Sequence, residues 1–270
     1  MKRIVLCADD FAVHAQATAA IVELARGGRI SATSAMVLSP RWAQDAPHLA
    51  ELRGQIDVGL HLDWTSAFAH AQGHGRSLAA AMARAAFGGF DQAVAATVVE
   101  RQLDAFEAQW KAAPDHVDGH QHVQQFDGIR QALVSVLQRR YGAPRPYLRI
   151  SRIQASGLAP KSRVITWLGA SELERLAAPA SVPCAAFLCG SYAFDADPAR
   201  YAQLMDRWLH QAPEGAILMC HPAHAGALAD PVAAARAVEL AYLGGAGFGA
   251  ALSRHGVVLA RGAGLFRTVA

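Results

Sequence analysis

The sequence lacks any run of eighteen apolar residues, so it predicts no membrane-spanning helix. The apolar run that follows Met1-Lys2-Arg3 is soon interrupted by two aspartates, which argues against a signal peptide. Dense clusters of lysine and arginine are also missing, and the formal net charge is only +3, so the basic stripe of a nucleic-acid-binding protein is not indicated. These absences favour a soluble, cytoplasmic protein.

Cysteine is scarce, and the four cysteines form no CxxC pair and no zinc-knuckle spacing. Cys7 and Cys220 lie inside apolar runs, where a reduced thiol behaves as a small hydrophobic group, and this favours a reducing compartment. The sequence has no G-x-S-x-G elbow and no Walker P-loop. A glycine-rich stretch at 245–250 follows a helical pattern instead of opening a first βα unit, so a dinucleotide site is not expected.

Apolar β-rich runs alternate with helical patterns along the whole chain, which is typical of βα units and a parallel sheet. Strands are predicted at 3–8, 31–38, 56–62, 115–120, 146–150, 184–189, 216–220 and 257–260, and a helix is predicted at 157–179 among others. Because there are about seven or eight βα units, the pattern predicts an α/β fold that is (β/α) barrel-like, with mostly parallel strands. No linker or repeat divides the chain, so we expect one domain over 1–270, with the irregular 65–89 segment as a loop or lid.

Polar clusters stand at the downstream ends of four apolar runs. They are Ala8-Asp9-Asp10-Phe11, Gly59-Leu60-His61-Leu62-Asp63, His116-Val117-Asp118-Gly119-His120-Gln121-His122 and Met219-Cys220-His221-Pro222. In barrels the active-site groups lie at the carboxyl ends of the strands. We therefore expect these four clusters to meet at one rim.

Each cluster alone has an ordinary interpretation: an aspartate after a strand can cap a helix, and a single histidine is usually just hydrogen-bonded. His120 and His122, at i and i+2, are expected on one side of an extended segment. Taken together, an aspartate and two histidines suit a divalent metal ion that polarises a carbonyl group. A second carboxylate can then act as general base and a further histidine as proton donor. The combination indicates metal-assisted hydrolysis of an amide or ester.

In their order along nearly the whole chain, the four clusters resemble the signature segments of the YdjC-like carbohydrate deacetylases. The resemblance implies a barrel-like fold and a divalent ion, with magnesium expected first and zinc or another transition metal as alternatives. It also implies removal of the acetyl group from an N-acetylated saccharide or glycoconjugate of the N-acetylglucosamine type, and is compatible with a homodimer. The chain departs from the family after Asp-Asp-Phe, where Ala12-Val13-His14 stand in place of glycine and a short polar residue.

By this resemblance the expected metal ligands are Asp10, His61 and His120. Asp9 is the expected general base and His221 the proton donor or oxyanion partner, although adjacent acids such as Asp9 and Asp10 can exchange roles. Three further residues are expected to contact the substrate: His122, Thr65 and Arg149.

Two other functions remain open at this point. One is a metal-dependent phosphoesterase or other amidohydrolase at the same rim, in which Arg149 or Arg152 holds an anion. The other is a sugar-binding protein that keeps the pocket and has no turnover.

Overall fold

The computed structural model describes residues 1–152, 168–226 and 230–266. The strands are β1 (Lys2–Phe11), β2 (Ala32–Ala35), β3 (Asp57–Leu62), β4 (His116–Gly119), β5 (Tyr147–Arg149), β6 (Cys184–Ala185), β7 (Leu188–Cys189), β8 (Ile217–Cys220) and β9 (Val257–Leu259). The α-helices are α1 (Ala15–Arg26), α2 (Trp42–Asp45), α3 (Ala67–Ala71), α4 (Leu78–Ala86), α5 (Gln92–Trp110), α6 (Ile129–Arg140), α7 (Ala170–Ala177), α8 (Pro198–Gln211), α9 (Ala233–Gly244), α10 (Ala246–Arg254) and α11 (Gly262–Leu265). Two 3-10 segments lie at Ala46–Leu52 and His120–Gln125.

All these strands belong to one parallel sheet. Its order is β6-β5-β4-β3-β2-β1-β8-β7, and β9 pairs with the start of β1. The two ends of this order, β6 and β7, are separated by only two residues of chain, so the sheet curves round and nearly closes. The predicted (β/α) barrel-like fold with interleaved helices is therefore confirmed.

The single strand predicted at 184–189 is wrong, because the structure has two short strands there. Residues of β6 pair with β5, whereas residues of β7 pair with β8. The segment changes neighbours at Ala186 and Phe187, and it therefore bridges the two ends of the sheet. The strand predicted at 31–38 is shorter than expected and ends at Ala35. Part of the helix predicted at 157–179 lies outside the described residues, and α7 occupies its later part.

The two faces of the sheet build two cores. On β1, Leu6 and Ala8 join the large apolar cluster that packs the strands against the helices. Val5 and Cys7 join a smaller cluster inside the barrel that contains Ile217 and Met219 of the adjacent strand β8 and Tyr147 of the more distant β5. This alternation follows from the period of two along a strand. Side chains that continue the inner rows towards the carboxyl ends of the strands must therefore point into the mouth of the barrel.

Several helices begin at a side chain that satisfies the free backbone N–H groups of the first turn. The capping residues whose side chains accept such a bond are His14, Ser66, Ser77, Asp91 and Asp197. The cap at His14 is unusual, since its ring Nδ1 accepts from Ala17 N and leaves the other ring nitrogen free for a second contact. Within the described residues, none of the helices has the length and apolar character needed to cross a membrane.

Candidate metal and acid–base site

Five polar side chains continue the inner rows of the barrel at its carboxyl end. Asp9 follows Val5 and Cys7, and His221 follows Ile217 and Met219, each at a spacing of two. His61 is in register with Asp118 of β4, and Arg149 ends β5. The five are Asp9, His61, Asp118, Arg149 and His221.

Asp10 enters the same site by a different route. Ordinary alternation would point it away from Asp9, but its φ is +66°, and the register of β1 with β2 shifts between Ala8 and Phe11. Such a bulge re-aims a side chain at the end of a strand, and aspartate tolerates a left-handed backbone better than most residues. The bulge explains how two adjacent acids both reach one site.

Asp10, His61 and His120 form a compact group of donors. Asp10 Oδ1 lies 3.2 Å from His120 Nδ1 and 3.5 Å from His61 Nε2. The three donor atoms lie within 4.8 Å of one another. A carboxylate with two imidazoles is a suitable ligand set for a divalent ion, so the residues fit the metal that the sequence resemblance implies.

His61 is oriented by a bond on its other ring nitrogen. Its Nδ1 lies 2.6 Å from Asp118 Oδ1, which leaves Nε2 directed at Asp10. Asp118 in turn accepts from Ser34 Oγ at 2.6 Å and lies 3.1 Å from Arg149 Nη1. Burial alone would lower the pKa of His61, but the adjacent carboxylates, led by Asp118, raise it to about 9. A carboxylate behind a ligating imidazole is the usual arrangement at metal sites.

Asp9 is held by Arg149 through two parallel hydrogen bonds. Arg149 Nη1 donates to Asp9 Oδ1 at 2.7 Å, and Nη2 donates to Oδ2 at 2.8 Å. Burial opposes ionisation, but the guanidinium outweighs it and lowers the pKa of Asp9. Arg149 is 0% exposed and also faces Asp118. Its two terminal nitrogens therefore serve internal carboxylates, in contrast to the substrate contact expected from the sequence.

His221 stands across from Asp9, with its Nε2 3.7 Å from Asp9 Oδ2. Burial lowers the pKa of this imidazole to about 4, so the ring is neutral at physiological pH. The Phe194 ring packs against it in a T-shaped arrangement, with 5.1 Å between the ring centroids. A neutral imidazole beside an ionised carboxylate is a suitable arrangement for moving one proton between them.

The other residues expected to contact substrate lie around this centre. The extended geometry expected for His120 and His122 is wrong, because β4 ends at Gly119 and both Gln121 (φ +54°) and His122 (φ +64°) are left-handed. His122 Nδ1 is 2.9 Å from Ser151 Oγ. Burial, followed by the charge of Arg149, lowers the pKa of His122 to about 3.

Thr65 lies just beyond the end of β3, where its backbone N–H donates to Asp63 Oδ1 at 3.0 Å. Its hydroxyl is buried and has no hydrogen-bond partner within the described ranges. The 65–89 segment that begins here forms α3 and α4, and it is tied to the rim by Arg76 N, which donates to Trp64 O at 2.8 Å.

Two other groups of potential ligands in the described chain fit an ion less well. Cys7, His116 and Asp118 surround the Ser34 hydroxyl, which lies 3.3, 3.0 and 2.6 Å from their polar atoms and fills the space between them. The second group consists of Asp9, His61 and Asp118. Its oxygens are already engaged, because both oxygens of Asp9 accept from Arg149 and Asp118 Oδ1 is hydrogen-bonded to His61 Nδ1. In the Asp10 group, as far as the structure describes the chain, the oxygen that faces the two imidazoles, Asp10 Oδ1, accepts from neither a hydroxyl nor an arginine.

Helix α9 contributes two charged residues that the sequence analysis missed, Arg236 and Glu239. Arg236 Nη2 donates to Asp10 Oδ2 at 2.7 Å. Glu239 accepts from the backbone N–H of His221 and, at 2.7 Å, from Tyr192 Oη. Burial raises the pKa of Glu239 to about 7. The only signal in the sequence is the spacing of these two charges, three residues apart in a helix that is otherwise rich in alanine. That spacing places both side chains on one face of the helix, but it does not show which residues they contact.

Ala12 occupies a left-handed position, with φ +69°, where the sequence resemblance leads us to expect glycine. Ala12→Gly relieves about 1–2 kcal/mol of backbone strain. The substitution also loses a buried methyl group worth about 0.8 kcal/mol and adds unfolded-state entropy worth about 0.4–1 kcal/mol. Because these effects nearly cancel, we expect the free energy of unfolding, measured in urea, to change by less than about 1 kcal/mol. Ala12→Val is the control, since a β-branched residue is strained there, and equal stability of the two variants would contradict this account.

The chain is similar to known proteins both in sequence and in fold. A family model described as YdjC-like protein matches residues 3–254. Chitooligosaccharide deacetylases of Yersinia pestis (strain Pestoides F) and Yersinia pseudotuberculosis (serotype O:1b, strain IP 31758) are 28% identical over 242 residues, which is 82% of this chain and 82% of each relative. A crystal structure of an Enterococcus faecalis V583 protein, named for cellobiose-phosphate cleavage, shares the fold with a TM-score of 0.74 at 17% identity, covering 98% of this chain and 99% of that one. Because the family model spans nearly all of the chain, this protein belongs to the YdjC-like family.

Proposed function

We propose that this protein is a metal-dependent hydrolase that removes the acetyl group from an N-acetylated saccharide or glycoconjugate of the N-acetylglucosamine type. The observation that carries the proposal is the donor group of Asp10, His61 and His120 beside Asp9, a buried carboxylate outside that group. Family membership and relatives named chitooligosaccharide deacetylase support the substrate class.

Asp10, His61 and His120 would hold the divalent ion. When bound, the ion supplies a Lewis acid that polarises the acetamide carbonyl and lowers the pKa of a nearby water. Three buried aspartates (Asp9, Asp10 and Asp118) face two buried arginines at this site, so the pocket is anionic when its imidazoles are neutral. Magnesium is our first expectation, but the two imidazole donors suit zinc and other transition ions equally well.

Proton transfer in this mechanism is carried by Asp9 and His221. Asp9 is kept ionised by Arg149. It accepts a proton from the attacking water molecule while the oxygen of that water bonds to the acetyl carbon. His221 Nε2 lies 3.7 Å from Asp9 Oδ2, so the proton has a short path to the amine that leaves when the carbon–nitrogen bond breaks. The products are acetate and the free amino sugar.

Neither alternative function gains a specific observation. The phosphoesterase reading relied on Arg149 or Arg152 to hold an anion. Arg149 donates to Asp9, and Arg152 Nη2 donates to Glu174 Oε2 at 2.5 Å. A sugar-binding protein without turnover would not require an ionised, buried Asp9 beside the donor group. The single domain over 1–270, the lid role of residues 65–89, the homodimer and the cytoplasmic location stay predictions.

Removal of divalent ions should abolish activity. Protein stripped with chelator is expected to release acetate from N-acetylglucosamine oligomers at least about 100-fold more slowly than loaded protein, because the Lewis acid is missing. Addition of magnesium, manganese, cobalt or zinc one at a time should restore the rate and identify the ion. Acetate is measured directly, and phosphate release from an aryl phosphate is the parallel assay. Full activity in chelator, or phosphate release without acetate release, would contradict the proposal.

A further inference from the structure

Through Arg236, helix α9 contacts both Asp10, a proposed metal ligand, and His221, the proposed proton carrier. Its guanidinium uses three different nitrogens for three acceptors: Nη2 donates to Asp10 Oδ2 at 2.7 Å, Nε to Asp230 Oδ2 at 2.5 Å and Nη1 to His221 O at 3.3 Å. Arg236 is 4% exposed, so these contacts are made away from bulk water. One buried side chain therefore joins the proposed metal ligand to the backbone of the proposed proton carrier.

The contact with Asp10 determines which oxygen of that carboxylate is available. Oδ2 accepts from Arg236, whereas Oδ1 faces His61 and His120. The bond from Arg236 restricts rotation of the carboxylate and leaves one oxygen for an ion.

Glu239, one turn further along α9, makes a second contact with the backbone of His221. The backbone N–H of His221 donates to Glu239 Oε2, and the backbone C=O of His221 accepts from Arg236. Both peptide groups that flank the His221 side chain are therefore bonded to one face of one helix.

A second acid and a histidine stand behind Arg236. Asp230 Oδ2, which accepts from Arg236 Nε, lies 3.1 Å from His14 Nε2. His14 is also the N-terminal cap of α1, through its other ring nitrogen. The His14 side chain is 21% exposed. A short side chain could cap the helix but could not reach Asp230.

We propose that Arg236 is a positioning residue that fixes Asp10 and His221 relative to each other, and that His14 supports it through Asp230. The inference rests on the proposed function, because it takes Asp10 as a metal ligand. A guanidinium is needed because its nitrogens diverge to three acceptors, which a single ammonium cannot reproduce.

Ion affinity is the direct test. Isothermal titration of chelator-stripped protein with Mn²⁺ or Zn²⁺ should show an affinity about 10- to 100-fold lower for Arg236→Gln than for wild type, the usual effect of removing a group that orients a ligand. Arg236→Lys keeps the positive charge between Asp10 and Asp230 and should recover the melting temperature without recovering the affinity. Arg254→Gln, which removes a surface arginine paired with Asp206, is the control and should bind the ion as wild type does.

His14 offers a milder variant with a matched pair. His14→Ser keeps a capping oxygen and removes only the reach to Asp230, whereas His14→Ala removes both. We expect the same decrease in ion affinity in both variants, by about three- to tenfold, with a lower melting temperature only in His14→Ala. The visible spectrum of Co²⁺-loaded protein should also change in His14→Ser, since that spectrum reports the ligand geometry and not the helix cap.

The outcomes separate the two proposals. If wild-type protein binds no divalent ion and releases no acetate, the proposed function fails and the role of Arg236 fails with it. If wild type binds and turns over normally while Arg236→Gln and His14→Ser retain its ion affinity within about twofold, only the positioning role of Arg236 is overturned.

Discussion

Asp9→Asn is expected to reduce kcat for acetate release by about 10²- to 10⁴-fold, the usual contribution of a general base. Asparagine has nearly the shape of aspartate but cannot take up a proton at neutral pH. Because Asp9 lies outside the donor group of Asp10, His61 and His120, the affinity for the divalent ion should change little. The measurements are kcat by acetate release and ion affinity by titration calorimetry.

The matched control is Asp10→Asn, the same chemical change one residue later. It should reduce ion affinity first and activity as a consequence, so that excess ion partly restores turnover. The same excess should not rescue Asp9→Asn. If Asp9→Asn lost the ion while Asp10→Asn kept it, the two acids would have exchanged roles, and the bulge at Asp10 would then serve the base.

The meeting of the polar clusters at one rim of the barrel was predictable, because the carboxyl ends of parallel strands lie on the same side of a sheet. Apolar runs that alternate with helices predict βα units, and polar residues at the ends of such runs must meet on one side of a parallel sheet. Asp9 and His221 illustrate this, since each continues an inward row at a spacing of two from buried apolar residues. The inward position of Asp118 follows from the same rule, because it is two residues from His116 on β4.

The remainder of the site depends on backbone turns that the hydrophobic periodicity of the sequence does not predict. Asp10 reaches the centre only through a left-handed bulge, and His122 does so through a left-handed turn after β4. Asp and His occur in many conformations, so residue type alone does not reveal either turn. The expected pairing of His120 and His122 on an extended strand was wrong for this reason.

Contacts between distant segments were also beyond the sequence. Arg236 is 226 residues from Asp10 in the chain, and Arg149 is 140 residues from Asp9. The sequence does not distinguish a buried arginine from an exposed one, and only the fold determines which carboxylate each arginine contacts. The sequence analysis therefore expected Arg149 to contact substrate, whereas its guanidinium is enclosed with Asp9 and Asp118.

Arg149→Met should lower the free energy of unfolding by about 3–5 kcal/mol, the usual cost when one partner of a buried ion pair is removed. Methionine fills similar volume, but Asp9 and Asp118 remain buried without the guanidinium that both contact. Loss of the same charge removes the main influence that lowers the pKa of Asp9. Stability is measured by urea denaturation of ion-free protein, because a bound cation would replace part of the missing charge.

Arg152→Met is the matched control, since Arg152 lies three residues further along and pairs with Glu174. The Arg152 and Glu174 side chains are 30% and 38% exposed, so water replaces the lost contact. Their pair should therefore contribute less than about 1 kcal/mol. A cost for Arg149→Met no greater than that for Arg152→Met would contradict a buried charge network beneath the site. The double variant Arg149→Met with Asp9→Asn should recover part of the stability, because it removes one of the two uncompensated charges.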